Sequence, residues 1–404
     1  MSEGLTLDDV RAAERRISDG VEHTPCPLAF AEIVPGRLHV KLENLQRTGS
    51  FKERGALNKL LQLDAAARAK GVVAASAGNH AQALAYHAGR LGIAATVVMP
   101  ENTPLIKVSN TERHGARVIQ RGRVYDDAAL EAKRLEESEG LTMIHPFDDL
   151  DVMAGQGTIG LEIAEQVPDV DVVIVPVGGG GLISGVAVAL KALKPGIRVV
   201  GVESAAAPSA SASRAAGRVV AIETADTIAE GIATKRVGER TFAHIERWVD
   251  DLVVVSEDEI AAAILFLLER EKTVAEGAGA AACAALLTER VRPSAGQTTV
   301  FILSGGNIDV NMMARVIERG LVADGRLIHL RVRVHDRPGS LASITRAVAE
   351  LGANVLEISH RRAFTDMSVG DVEILIDLET RGREHARQIV AALTAQGMVV
   401  EEES

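Results

Sequence analysis

From Gly71 to Ser304 the chain repeats one pattern: a short β-branched run, a stop at glycine, proline, asparagine or serine, then a longer stretch of helical period. The spacing predicts strands at Val72–Ala75, Ala95–Met99, Arg117–Ile119, Val172–Val177, Arg198–Val202 and Thr299–Leu303. Helices are predicted at Asn79–Leu91, Pro104–Gly115, Asp126–Glu139 and Leu182–Leu193. Strands that are apolar throughout must be covered on both faces, so this order predicts an α/β fold on mostly parallel sheets. Ligands of such sheets bind beyond the carboxyl ends of the strands, where the informative residues should lie.

Beyond Leu327 the pattern becomes strand, helix, strand, strand, helix, strand, at Leu327–His335, Ser340–Leu351, Val355–Arg361, Val372–Leu378, Glu384–Gln396 and Met398–Glu402. That βαββαβ order is the split βαβ of a ferredoxin-like α+β module. The predicted boundaries are 1–323 for the first part, with a smaller subdomain at about 54–152 inside it, and 326–404 for the second. The Ala- and Ser-rich stretch Ala205–Arg218 reads as a surface loop or short helix.

Composition narrows the partners. Forty-four basic against 55 acidic residues, a formal charge of -11, argue against nucleic acid or an anionic membrane surface as the main partner. Seven Phe, one Trp and two Tyr leave no stacking platform for single strands. Cys26 and Cys283 stand at neither metal-ligand nor redox spacing. Ala261–Leu268, the longest dense apolar run, is shorter than the roughly 20 residues that span a bilayer. Met1–Gly4 shows no basic start of a signal peptide, and the expected location is cytoplasmic.

Four segments could carry chemistry. In Ser50-Phe51-Lys52-Glu53-Arg54-Gly55-Ala56, Ser50 could cap a helix with Lys52 in its first turn, where the positive end of the helix dipole lowers the amine pKa and suits a nucleophile or base. Taken alone, such a lysine is an ordinary solvated residue. Ser76-Ala77-Gly78-Asn79-His80 follows a strand with small residues and helix-start amides suited to a carboxylate, or is a tight turn with Asn79 as its cap. His80 and His87 share a helix face but lack any metal-motif spacing, and read as structural. Gly178-Gly179-Gly180-Gly181-Leu182 weakens any regular element, a cost that a phosphate held by backbone N–H groups would explain. Its end lacks the Lys-Ser/Thr of a P-loop. Ser304-Gly305-Gly306-Asn307 offers a neutral hydroxyl at a strand end, or is a helix cap or turn serine, without the surroundings of a hydrolase nucleophile.

The glycine run, the strand Arg198–Val202 and Glu203 also imitate a dinucleotide fingerprint, which makes an NAD-dependent oxidoreductase the rival reading. The glycine spacing is not GxGxxG, the run sits mid-sheet, and Lys52 is left unexplained.

In this order the four segments resemble those of fold-type II pyridoxal-phosphate (PLP) enzymes, the tryptophan-synthase-β type, and most closely the threonine ammonia-lyases, also called threonine dehydratases. The resemblance covers nearly the whole chain and extends to Ala154-Gly155-Gln156-Gly157-Thr158 and Glu276-Gly277-Ala278-Gly279-Ala280. Ser76-Ala77-Gly78-Asn79-His80 differs from the Thr-Ser-Gly-Asn-Thr loop usual in cysteine synthases, and Asp336-Arg337-Pro338-Gly339-Ser340-Leu341 resembles the first turn of ACT regulatory domains.

The resemblance implies a PLP-dependent lyase that deaminates L-threonine to 2-oxobutanoate and ammonia, with L-serine as the alternative substrate. It implies Lys52 as the Schiff-base lysine and base, with Lys52 and Ser304 as the catalytic pair. Phe51, Lys52, Asn79, Gly178, Gly179, Gly180, Gly181, Leu182 and Ser304 would hold the cofactor, and Ser76, Ala77, Gly78, Asn79 and His80 the substrate. Neutral Ser304 would leave the pyridine nitrogen largely unprotonated, which favours elimination. ACT domains associate in pairs, so the implied assembly is a homotetramer with an amino-acid effector met by Asp336, Gly339 and Asn354. An interaction-only ACT domain is the alternative. A catalytically dead amino-acid sensor is another, against which intact Lys52, Asn79 and Ser304 speak. Relatives can place a cation near the strand end at Glu203, but Ser204–Ser211 contains no second acid, and the metal stays open.

Overall fold

The computed structural model describes residues 4–362 and 370–403. Met1–Glu3, part of the leader argument above, lie outside them. The described strands are β1 (Arg37–Leu42), β2 (Val72–Ala75), β3 (Ala95–Met99), β4 (Arg117–Gln120), β5 (Thr142–Met143), β6 (Val172–Pro176), β7 (Arg198–Ser204), β8 (Asp251–Val255), β9 (Thr298–Leu303), β10 (Leu327–His335), β11 (Asn354–Arg361), β12 (Asp371–Glu379) and β13 (Val399–Glu403). By contacts the chain divides into two units, Met1–Ile308 and Asp309–Ser404.

The first unit holds two all-parallel sheets, ordered β1-β9-β6-β7-β8 and β4-β3-β2-β5. β2, β3, β6 and β9 are buried along their whole length, as continuous apolar runs sandwiched between helices must be. The sequence pattern missed β1, β5 and β8. β1 (Arg-Leu-His-Val-Lys-Leu) is an edge strand whose polar residues interrupt the apolar run, β5 is two residues long, and β8 (Asp-Leu-Val-Val-Val), the other edge strand, is a short apolar run that begins on an aspartate. Helix Gly277–Leu287 is apolar on every side and packs against β6, β7, β8 and β9, the burial expected of a helix without a polar face.

In each sheet the chain runs one way from a central strand and then jumps to that strand's other side. The sequence β6, β7, β8 returns to β9 beside β6, and β2, β3, β4 returns to β5 beside β2. Those two switch points open crevices at the carboxyl ends of β6 and β9 and of β2 and β5.

Of the two readings of Ala205–Arg218, the short helix holds. The helix Ser209–Ala216 buries Ser209, Ala210 and Ser213. Glu203, at the end of β7, accepts from the backbone N–H groups of Ala210 at 2.6 Å and Ser211 at 2.8 Å and from the Ser211 hydroxyl at 2.5 Å. Both carboxylate oxygens are thus spent on a helix start.

The second unit carries the antiparallel sheet β11-β12-β10-β13, with helices Ser340–Glu350 and Arg383–Ala395 supplying apolar side chains to its core. Helix Val310–Ala323, assigned by sequence to the first part, groups here through its contacts with β10. Gly339 takes φ +96 before helix Ser340–Glu350, with open space where a side chain would stand. Asp336 lies in the same turn, its carboxylate paired with Arg362 at 2.9 Å. The register, His335 opposite Asp371 and Leu327 opposite Glu379, puts Asn354 at the other end of the sheet, where it faces Glu379. Within one chain Asn354 therefore does not join Asp336 and Gly339. Among the described residues no helix is long and apolar enough to cross a membrane.

Candidate active site

Lys52 opens the helix Lys52–Leu61, with Phe51 at the cap position. Ser50 does not cap it. Its backbone bridges to Gly305, and its buried hydroxyl has no partner among the described residues, because Ser50 stands one residue too early to reach the first-turn amides. The Lys52 ammonium donates to the Pro146 carbonyl at 2.8 Å and stands 5.2 Å from the centre of the Phe51 ring. Burial lowers its pKa to about 8, against the pull of the Glu276 carboxylate. Enclosure in the cleft is the cause of that shift, where the sequence pointed to the helix dipole.

The other three segments meet around this lysine. The Phe51 N–H donates to the Ser304 carbonyl at 3.1 Å, which ties the end of β9 to the lysine's own turn. Ser304 is buried, and the next helix is capped by Asp309, so the serine is no helix cap. Asn79 is the first residue of helix Asn79–Arg90 rather than its cap. Its amide donates from Nδ2 to Glu276 Oε1 at 2.7 Å and accepts at Oδ1 from Asn307 at 2.9 Å. Ser76 accepts from the Gly78 N–H at 3.2 Å, and nothing lies within 4 Å of where a Gly78 side chain would stand, so this backbone is open to a ligand.

The glycine run follows β6. Gly181 and Leu182 begin the helix Gly181–Leu193, whose first-turn N–H groups have no acceptor within the helix. Gly180 takes φ +90. Any side chain on Gly179 would collide with the Phe147 ring, and one on Gly178 with the Ile232 backbone. The run is therefore held to glycine by its protein neighbours as well as by any ligand. Phe147 sits in the loop after β5, next to the Pro146 that receives Lys52, and so links the lysine to the glycine run. Its only signal in the sequence was a place beyond a strand too short to recognise.

Two histidines beside the lysine are held neutral. His80 is buried, its Nε2 bonded to the Ile144 carbonyl at 3.0 Å, and burial with the Lys52 charge depresses its pKa to about 3. Its ring faces the protein, so His80 offers a ligand only its backbone. His145 accepts at Nδ1 from the Phe147 and Asp148 N–H groups, at 3.2 and 2.8 Å, and burial lowers its pKa too.

Beneath the lysine lies a charge network that the sequence did not reveal. Arg54 bonds bidentately to Glu43, at 2.8 and 2.7 Å, and to Glu162, at 2.5 and 2.9 Å. Lys41 bonds to Glu162 at 2.5 Å and to the Thr24 carbonyl at 2.5 Å. All four charged side chains are buried. Burial disfavours the Glu43 carboxylate, but the Arg54 guanidinium overrides it and holds the Glu43 pKa below its ordinary value. The network joins the end of β1, the lysine helix and the helix Leu150–Gln166.

Cys26 and Cys283 are free and buried, their thiols pushed up by burial, that of Cys26 to about 12. Among the described residues no cluster of three or more His, Cys, Asp or Glu could hold a metal.

Comparison with known proteins agrees with this geometry. Residues 17–305 match the family model of pyridoxal-phosphate dependent enzymes, and residues 328–396 that of the ACT domain. The L-threonine ammonia-lyase of Thermotoga maritima is 48% identical over 398 residues, covering 98% of this chain and 99% of that protein. The maize serine racemase structure superposes with a TM-score of 0.74 at 36% identity, over 80% of this chain and 99% of that one. The processed threonine deaminase isoform 2 of Solanum lycopersicum gives 0.73 at 39% identity, over 77% and 91%. The dinucleotide reading falls: its acid, Glu203, is spent on a helix start, and the lysine it left unexplained bonds to the Pro146–Phe147 loop that backs the glycine run. A cleft at paired switch points, a half-buried amine and a glycine-rich helix start thus agree with the sequence matches, and the chain belongs to the pyridoxal-phosphate-dependent enzymes of fold-type II, with a C-terminal ACT domain.

Proposed function

We propose that this chain is a threonine ammonia-lyase, converting L-threonine to 2-oxobutanoate and ammonia, in the cytoplasm and as a homotetramer, with the ACT unit taking an amino-acid effector. The observation that carries the reading is the meeting of Lys52 with the Asn79 loop, the glycine run and Ser304 in one cleft. The residues fit PLP: a depressed amine for its aldehyde, first-turn amides of helix Gly181–Leu193 for its phosphate, and Asn79 and Ser304 for its ring. Bound PLP supplies an electron sink for the pair left when the Cα proton departs.

The chain's own groups do the rest. With a pKa near 8, the Lys52 amine is partly neutral near neutral pH and takes the Cα proton at Nζ. The open backbone of Ser76–Asn79 binds the substrate carboxylate at a helix start, which favours an anion. Neutral His80 and His145 put no further positive charge beside the amine. Buried Ser304 presents a neutral hydroxyl rather than a carboxylate, so no counter-charge holds a proton on the ring nitrogen.

The deciding measurement is kcat/KM for L-threonine and L-serine in an oxo-acid assay. One methyl in a pocket is worth about 1–3 kcal/mol, so threonine is expected to lead by about 10-fold or more. A lead for serine makes the chain a serine dehydratase. Racemised serine without oxo acid overturns the lyase reading.

The cup can be tested separately. Gly179→Ala alone is expected to lower both stability and PLP retention, because the new methyl meets Phe147. Adding Phe147→Ala removes the clash, and whatever PLP defect persists at restored melting temperature belongs to the cup itself. Full PLP retention in Gly179→Ala with an unchanged melting temperature counts against both the close packing and the cup.

A further inference from the structure

Glu276 stands at the cap position of helix Gly277–Leu287 yet makes no cap bond with its side chain. Glutamate is not among the residues that cap helices well, so the cap does not explain it. Its carboxylate turns instead across the cleft to Asn79, and a side chain on Gly305 would come within 2.5 Å of its Oε1, so it also lies against the Ser304 loop. Its backbone N–H donates to the Gly305 carbonyl at 3.1 Å.

The Asn79 amide thus has a partner on each side. Glu276 accepts from Nδ2, and Asn307, itself anchored by donating to the Thr48 carbonyl at 2.6 Å, donates to Oδ1. A carboxylate can only accept, so it forbids the flipped amide, which would turn Oδ1 toward it. One Nδ2 proton is spent on Glu276, and the other keeps a fixed direction.

We propose that Glu276 is a positioning residue that, with Asn307, locks the side-chain amide of Asn79 so that its remaining N–H is presented to the cofactor's ring. This rests on the reading of Asn79 as a cofactor contact. The groups facing Glu276 are Asn79, Lys107, Glu230 and Lys52. Burial pushes its pKa up to about 7, the Asn79 bond and the charges of Lys107 and Lys52 pull it down, and Glu230 pushes it up. A proton gained below neutrality gives the carboxyl a donor of its own and weakens the discrimination between the two amide orientations.

The test uses the full-length holoenzyme and measures apparent PLP affinity by dialysis and fluorescence, the visible spectrum from pH 6 to pH 9, and the melting temperature. Glu276→Ala is expected to weaken PLP about 10-fold, the loss typical of one hydrogen bond to a charged group. Glu276→Gln carries a donor as well as an acceptor, as the protonated carboxyl does, so its affinity should fall between those of wild type and Glu276→Ala, and the spectral step near neutral pH should disappear. In an Asn79→Ala background, Glu276→Ala should add nothing, because it acts through that amide. Wild-type affinity and spectrum in Glu276→Ala overturn the proposal, as does an undiminished effect in the Asn79→Ala background. If Asn79→Ala itself binds PLP with the wild-type affinity and spectrum, the reading of Asn79 fails first and is recognised as such.

Discussion

Lys52→Ala is expected to lower kcat by about four orders of magnitude, the upper range for losing a positioned base, and by more where its role as nucleophile is counted. The fold should survive. The lysine's polar bond is a single one to the Pro146 carbonyl, and its burial works against its charge. The sign follows from the depressed pKa, about 8 against an ordinary 10.5. In the PLP-free protein the cost of burying the ammonium is fully present below about pH 8 and is relieved as the pH rises toward 10.5, because the folded chain then releases a proton that the unfolded chain still holds. Lys52→Ala should therefore be no less stable than wild type at pH 7, with its relative advantage shrinking above pH 8. Borohydride reduction of the wild-type holoenzyme, followed by peptide mapping, should place the label on residue 52. A variant that keeps wild-type turnover would remove the mechanism.

Arg54→Met should produce the largest loss of stability, about 3–5 kcal/mol, because it strands the buried Glu43 carboxylate and leaves Glu162 with Lys41 alone. Arg54→Lys is not expected to rescue it, since an ammonium cannot reproduce two bidentate pairs. Arg54→Met combined with Glu43→Gln should recover part of the loss by removing one stranded charge while leaving an acceptor for the Thr24 hydroxyl. Urea unfolding of the PLP-free proteins measures all three. A single-variant loss below about 1 kcal/mol would mean that water or rearrangement satisfies the carboxylates. Arg54 lies on the same helix as Lys52, two residues on, so PLP retention should fall with stability in this series.

Much of the molecule was legible because its signals are local. Continuous apolar runs at Val72–Ala75 and Val172–Pro176, each ending in small residues, marked the central strands and directed the search to their carboxyl ends. β10 and the helices Ser340–Glu350 and Arg383–Ala395 followed from period and alternation. β1 failed the same test because an edge strand tolerates polar residues. The segments at Asn79, Gly178–Gly181 and Ser304 stood out through composition at strand ends and Lys52 as a cation at a helix start, but nothing local joined Asn79 to Glu276, 197 positions away.

By itself, then, the sequence determined the α/β plan and the βαββαβ appendage and marked the candidate residues, since period, glycine spacing and strand-end composition act within a few neighbouring residues, while the resemblance supplied the ACT type. Only the tertiary structure decided which charges are buried together at Lys41, Glu43, Arg54 and Glu162, that Glu203 serves a helix and His80 the core, that Phe147 backs the glycine run, and that Asn354 stands apart from Asp336. The physical reason is the same in each case. Hydrogen bonds and ion pairs gain their strength where packing excludes water, and packing brings together residues that the chain keeps far apart.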